Sequence, residues 1–502
     1  MIVNAKAFLV VLIIAWAFFA AARPFCVGII STEDYARRRN VWLAVTAAEF
    51  LLPNFWLYAI FALFLICWAA KRDKNPIALF ALLLYVTPPL EFYIPKLIAL
   101  NNLRIVVIAI LIPFFFRKKA VDEYSKADKL TLIDASVIAF GIWQILLFIP
   151  YEEFTNTLRR SVVYFLDTFV IYFCIARSGK SRGDVIDVCL MFVLSCCIMS
   201  LLAVVESVRG WVLYQYIGEV WGNFDPRAYL FRDGRLRAQV SVGHSLALGY
   251  VLALGFGISL YFRNIGQSFH TRWLLPLILW AGLIGAYSRA PWLTAILTLV
   301  LSVAIQPGNI KNLVKLLSIG TICFGSVLLS PFGAKIIETL PFIGTVDQFN
   351  VEYRQRLADL SWRLILENPW MGDPFFLNSM EELRQGDGII DLVNGFAAVA
   401  LFSGLIGLFF YVSTFILVGW RTFRSAIKFQ RIGDDFSYLG YCLTACMLGA
   451  LFFIGTAGTG FIYYVLAGIM ASYVRIEKLE ENRNKLKSND LRTSSKAGFA
   501  RA

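Results

Sequence analysis

Apolar runs long enough to cross a hydrocarbon core recur along almost the whole chain, and no other property restricts its fold so tightly. A spanning helix needs about 20 mainly apolar residues. Runs of that kind fall near 5–22, 50–70, 76–94, 100–116, 132–150, 161–177, 185–208, 241–262, 273–288, 290–306, 313–330, 396–418, 437–455 and 458–475. The pattern predicts an all-α polytopic membrane protein with about 14 transmembrane helices, within a range of 12–14. Composition agrees: 59% of residues are hydrophobic and 16% charged, against about 25% charged in soluble globular proteins. That balance excludes disordered, fibrous and nucleic-acid-binding chains. The net charge of +13 is the signature of Lys and Arg retained on cytoplasmic loops, so no nucleic-acid partner is expected.

The stretch Trp273–Ile305 is too long for one span. Arg289 and Pro291 divide it, and the spacing predicts two helices joined by a tight turn at Tyr287-Ser288-Arg289-Ala290. The N-terminal run Phe8–Ala22 reads as a retained first helix, because Arg23-Pro24 disfavours cleavage there. Loop charge sets orientation. The tail 475–502 carries eight basic residues against four acids, and 117–129 and 419–435 are basic as well. With alternating helices these segments share one side, so both termini are expected in the cytoplasm of a multi-pass bacterial inner-membrane protein. Arg37-Arg38-Arg39 then falls outside, against the rule.

The division expected is 1–330, eleven transmembrane helices with an outer loop at 209–240; 331–395, one large, partly helical extracytoplasmic loop; 396–476, C-terminal transmembrane helices; and 477–502, a disordered basic cytoplasmic tail. The loop 331–395 carries ten acids and five basic residues and is too long for a mere connector. Val351, Leu357, Leu360, Leu364 and Ile365 recur there at helical spacing, predicting an amphipathic helix over 351–367 that stops at Asn368-Pro369.

No nucleotide-binding, metal or nucleophile-elbow motif appears, so neither metal nor cofactor is expected. The nine cysteines lie almost all in apolar runs, as small packing residues do. Of two histidines, His270 sits in a predicted cytoplasmic loop. His244 sits at the outer start of a helix, where it suits a phosphate or sugar hydroxyl. The informative set is the outer arginines: Arg159, Arg160, Arg235, Arg237, Arg289, Arg354, Arg356 and Arg363. Guanidinium is planar, always charged and bidentate toward phosphate oxygens. Several at one membrane face suit an anionic, lipid-linked ligand. Arg289, with apolar sequence on both sides, is costly there unless paired or at a cavity.

Four segments, in order over about 235–410, resemble the O-antigen ligase/polymerase family of bacterial membrane glycosyltransferases. They are Arg235-Leu-Arg-Ala-Gln-Val-Ser-Val-Gly-His-Ser-Leu-Ala-Leu-Gly249; Tyr287-Ser-Arg-Ala-Pro-Trp-Leu293; Arg354 to Gly372, ending Glu367-Asn-Pro-Trp-Met-Gly372; and Asp391-Leu-Val-Asn-Gly-Phe together with Ser403-Gly-Leu-Ile-Gly-Leu408. The resemblance implies a helical glycosyltransferase that takes an undecaprenyl-diphosphate-linked oligosaccharide from the bilayer without a metal. Arg237, Arg289, Arg354 and Arg356 would grip the diphosphate, with His244 and Arg363 beside the substrate. Asp391 would accept the acceptor's proton. Asn394 would orient a sugar hydroxyl or cap the next helix. Val393 stands where the family's ligases carry a histidine, which turns the reading toward a polymerase making exopolysaccharide or O-antigen, with a chain-length regulator protein as a possible partner. The alternatives are an O-antigen ligase acting on lipid A-core, as in lipopolysaccharide assembly, and a flippase for the same lipid-linked sugars.

Overall fold

In a computed structural model, the described residues are all except 1, 96, 117–129, 224–228, 233, 266–268, 331–347, 385–389, 391, 459 and 500–502. They form a bundle of helices with two ends. The helices are α1 (Ile2–Val27), α2 (Thr32–Leu51), α3 (Phe55–Arg72), α4 (Pro76–Leu83), α5 (Asn102–Phe115), α6 (Leu132–Phe148), α7 (Phe154–Ser178), α8 (Arg182–Arg209) and the short α9 (Gln215–Trp221). They continue as α10 (Ser245–Ile265), α11 (Phe269–Ala286), α12 (Arg289–Ala304), α13 (Ile310–Leu328), α14 (Gln348–Glu367), α15 (Gly395–Arg431), α16 (Phe436–Ile454) and α17 (Ile462–Phe499). Among the described residues, eight helices are long and apolar enough to cross a membrane; the 102–115, 132–148, 272–286 and 289–304 segments are apolar but shorter. Two-residue hairpins, β1 (Phe92–Tyr93) with β2 (Ala99–Leu100) and β3 (Phe231–Arg232) with β4 (Arg235–Leu236), are the sheet among these residues.

The central helix is α8, buried along most of its length and packed against α1, α4, α10, α11 and α17. At 28 residues it is about 42 Å long at 1.5 Å per residue. It therefore joins two distinct ends. At one, Arg182 donates to Glu480 of α17 at 2.7 Å and pairs with Asp434. Arg177, Arg421 and Lys478 gather nearby, and we call this the basic end. At the other, the long connections after α8 and before α15 emerge, and we call it the loop end.

The first helical hairpin corrects the expected topology. The predicted spans omit α2, whose Glu33, Asp34, Arg37, Arg38, Arg39 and Glu49 hide its apolar face. It nevertheless runs antiparallel to α1. The Tyr35 hydroxyl donates to Phe19 O at 2.5 Å, and Phe8 lies 5.8 Å from Phe50, which lies 5.5 Å from Tyr214. Tyr214 comes just after α8 at the loop end, so the chain starts there while Arg475 and Glu480 stand at the basic end. The two termini therefore do not share a side, against the expectation that both are cytoplasmic. The extra traverse also removes the anomaly of Arg37-Arg38-Arg39, which lies at the basic end.

Arg38 shows why that cluster is so placed. Its guanidinium is buried and forks onto two carboxylates, Asp73 (2.8 and 2.7 Å) and Asp187 (2.5 and 2.9 Å). The geometry satisfies the charges that burial strips of water. Arg38→Ala leaves two buried acids without their cation, so a loss of about 3–5 kcal/mol is expected. Thermal unfolding in detergent checks it, with Arg38→Lys falling between because one ammonium cannot fork to both partners.

Other boundaries move for local reasons. The span expected over 76–94 is helical only to Leu83, because Thr87-Pro88-Pro89 cannot continue a helix. The predicted break in Trp273–Ile305 is found as the turn Tyr287-Ser288 between α11 and α12. Residues 477–499, expected to be disordered, continue α17. Cys26 is buried in α1, and all nine cysteines are free. Among the described residues no group of three or more His, Cys, Asp or Glu is placed to hold a metal.

Candidate functional site at the loop end

The site begins with an acid inside an apolar helix. Glu206 sits in the last turn of α8, fully buried. Its carboxylate accepts the N–H groups of Leu213 (2.9 Å), Gln239 (3.0 Å) and Val240 (2.9 Å). The return strand of the 210–244 connection is thereby pinned onto α8. Ala238 N–H donates to Gly285 O at 3.1 Å, tying the same strand to the end of α11. Between these anchors Val240 is forced to φ +48°, and in the adjacent turn Tyr287 takes φ +45°. Among the described residues they are the only non-glycines with positive φ. For a β-branched residue that conformation is a genuine outlier, held only where surroundings over-determine it.

These two strained turns carry the two arginines that matter. Arg237 donates through Nη2 to Ser288 Oγ at 2.7 Å, and Arg289 is the next residue. The Nε of each is buried without a partner, and among the described residues neither arginine pairs with a carboxylate. Burial first, then the neighbouring Arg232, pushes Arg237 down to about 10, so it stays cationic at neutral pH. Both arginines thus flank Ser288, and each leaves a buried Nε donor unmatched.

The other predicted residues divide. His244 is exposed and lines a cavity; its Nδ1 accepts Leu246 N–H at 3.2 Å. Arg354 and Arg363 are exposed on α14, and Arg356 is taken by Glu352 at 2.5 Å. No described contact joins these three to Arg237 or Arg289. Asn394 caps α15, its Oδ1 accepting Phe396 N–H (3.0 Å) and Ala397 N–H (3.2 Å). Of its two expected roles the capping one is observed. Asp391 lies outside the described residues. Arg160 is held by Glu152 at 2.7 Å over the Phe148 ring, away from this turn.

The amphipathic helix predicted in the large loop is α14; Leu357, Leu360, Leu364 and Ile365 of its predicted apolar face pack inward, and the Val351 side chain lies outside the described residues. Leu357, Leu360 and Ile365 pack with Phe376, Met380 and Leu383 against Ala400 and Leu401 of α15. Past its C-terminal end, α14 is joined to α15 by an interlock. At Gly404 (φ +65°, ψ −175°) α15 is broken. Leu405 N–H, which would donate to Leu401 O in a continuous helix, donates instead to Pro369 O at 2.7 Å. Leu401 O accepts Asp373 N–H at 2.8 Å. The turn Pro369-Trp370-Met371-Gly372 thus plugs the gap in α15 with two backbone bonds. Gly372 (φ +68°) and Gly404 face each other, and a Cβ on either would strike the backbone of the opposing segment.

Sequence reasoning missed Glu206, Ser288 and this interlock. Glu206 was signalled, since it and Asp187 are the acids in an apolar run, and an intramembrane acid needs a partner. Its partners, three backbone N–H groups more than six residues away, leave no sequence trace.

The fold is that of a polytopic α-helical membrane protein, with Arg237 and Arg289 flanking Ser288 at its loop end. Residues 274–412, from α11 into the first half of α15, match the family model described as O-antigen ligase. That match supports the O-antigen ligase/polymerase family, and with it an enzyme of the ligase or polymerase type. It takes in Arg289, α14, the interlock and Asn394; Arg237 and His244 precede it. No curated protein matches the chain.

Proposed function

We propose that the protein is a polysaccharide polymerase. It would move a growing glycan from undecaprenyl diphosphate onto a sugar hydroxyl of a second lipid-linked repeat unit, at the outer face of the bacterial inner membrane. The observation that carries this reading is the Arg237–Ser288–Arg289 turn, with two buried guanidinium donors and no acid opposite them among the described residues. The basic end, with Arg177, Arg421, Arg475 and Lys478, is assigned to the cytoplasm by the excess of Lys and Arg there. The loop end then faces outward, where assembled repeat units are met.

In this scheme the donor's diphosphate lies against Arg237 and Arg289. The acceptor hydroxyl attacks the anomeric carbon, the bond from that carbon to the diphosphate oxygen breaks, and undecaprenyl diphosphate leaves. The charge growing on the leaving oxygen is met by donors already in place, the arrangement that lowers such barriers most. Asp391 is the proposed base for the hydroxyl proton. His244, on the strand that carries Arg237, would contact a sugar or phosphate oxygen of the substrate. Arg354, Arg356 and Arg363 lie exposed along α14, where they would attract the donor rather than clamp it.

The ligase reading is kept because the matched family model carries that description; Val393 in place of a histidine favours polymerisation. Gel analysis of lipid-linked saccharides after gene deletion separates them. Accumulated single repeat units are the result expected of a lost polymerase. Accumulated full-length lipid-linked polymer would make it a ligase. A flippase would leave single units on the cytoplasmic leaflet. Topology has its own check: a lone cysteine placed at Asn4 should react with an impermeant maleimide in intact spheroplasts, and one at Glu480 should not.

A further inference from the structure

Beside the strained 238–244 segment lies a cavity of about 330 Å³. Its walls are the unwound stretch after α4, the start of α5, the start of α10, and the α16–α17 junction. Among the described residues no Asp, Glu, Lys or Arg lines it, so it offers no counter-charge to a diphosphate. Much of its wall is aromatic: Tyr85 packs on Phe461 at 5.8 Å, and Tyr250 stacks on Phe453 at 4.3 Å. Two buried polar groups in that wall lack partners, Asn102 Nδ2 and the Tyr250 hydroxyl. The Asn102 amide is not free to turn away. Its Oδ1 accepts the Tyr58 hydroxyl at 2.7 Å, and Tyr58 is itself 2.7 Å from Thr87 Oγ1. Behind Thr87 is the buried Glu49, at 3.4 Å. The network engages one end of the amide, and the other end, placed as the N–H₂ group, has no partner.

We propose that this cavity binds a neutral sugar ring of the lipid-linked substrate, with Asn102 and Tyr250 as its hydrogen-bonding residues. The identity of the sugar rests on the glycosyl-transfer reading above; the existence of the site does not. An isoprenoid chain would fill the apolar wall but leave both buried polar groups unsatisfied, which is unfavourable. A pyranose offers C–H faces to Tyr250, Phe453 and Tyr85 and hydroxyls to Asn102 Nδ2 and Tyr250 Oη. The volume lies at the small end of the roughly 300–1,000 Å³ found for ligand pockets, room for a mono- or disaccharide. His244 on the same wall places this ring within the segment that also carries Arg237, so a sugar and its diphosphate could be held by one strand of chain.

The test uses the full chain in nanodiscs and saturation-transfer NMR. The probes are the repeat-unit oligosaccharide freed by mild acid from the cell's lipid-linked pool, geranylgeraniol, and inorganic pyrophosphate. The oligosaccharide should bind wild type. Tyr250→Phe should weaken it several-fold and Asn102→Leu about tenfold or more, in line with losing one buried hydrogen bond in each case. Tyr250→Phe removes a single oxygen and decides the matter if Asn102→Leu does not insert. Arg289→Ala should lose pyrophosphate binding and keep the oligosaccharide. The proposal is overturned if wild type does not bind the oligosaccharide, if Tyr250→Phe binds it unchanged, or if geranylgeraniol displaces it. Retained transfer by Arg289→Ala would instead strike the diphosphate reading and leave the cavity result standing.

Discussion

Arg289→Ala is expected to reduce glycan transfer by about 10²–10³-fold, the range seen when one preorganised donor to a developing oxyanion is removed, while membrane insertion stays normal. Among the described residues the side chain makes no ion pair, and its Nε has no partner, so its removal leaves no described group without a partner. A structural role predicts lost stability; a role in holding the leaving group predicts lost turnover at unchanged or raised stability. Arg289→Lys should recover only part of the activity, since an ammonium keeps the charge but not the fork. Transfer assayed with purified lipid-linked repeat units, beside a melting curve on the same preparation, separates the two. Full activity in Arg289→Ala would remove this residue from the mechanism.

Gly404→Ala is the second large effect, and it should act the other way, on stability. A Cβ at position 404 meets Trp370 O and Met371 N, backbone atoms that cannot rotate aside, and the left-handed φ adds strain of its own. A loss of about 3 kcal/mol or more is expected. Because the Pro369–Gly372 turn is what ties α14 to α15, the loop that bears Arg354, Arg356 and Arg363 should become protease-sensitive before the bundle melts. Gly372→Ala should match it, and the double variant should be much less than additive, since both remove one interlock. An unchanged melting temperature in Gly404→Ala would mean that α15 can close its gap without the turn.

Much of this architecture was legible in hydropathy. The break before Arg289 is a punctuated feature that lies where the sequence places it, and most of the apolar runs fall on helices. The miss at α2 is instructive because one helix changed the side on which the chain begins. Arg38 and Glu49 are buried in it, Arg38 against Asp73 and Asp187, and a residue-by-residue scale charges them as if solvated. The site was legible as a set of arginines but not as a place. Arg237 and Arg289 are joined through Ser288, whereas Arg354, Arg356 and Arg363 share only a surface helix. That sorting depends on Glu206 drawing residues 238–240 onto α8, a backbone interaction no motif records. The glycines of the quoted Pro-x-x-Gly and Ser-Gly segments stand far apart in sequence, and only the three-dimensional structure shows that each makes room for the other.

The central claim is that Arg237 and Arg289 together receive a polyprenyl diphosphate. Its most direct test is the dissociation constant of undecaprenyl diphosphate for the nanodisc-embedded protein and its Arg237→Ala, Arg289→Ala and double variants. Each single change should weaken binding by about 10–100-fold, as loss of a charged hydrogen-bonding partner does, with undecaprenol binding unaltered in all four proteins. Equal affinity of wild type and the double variant would contradict the claim.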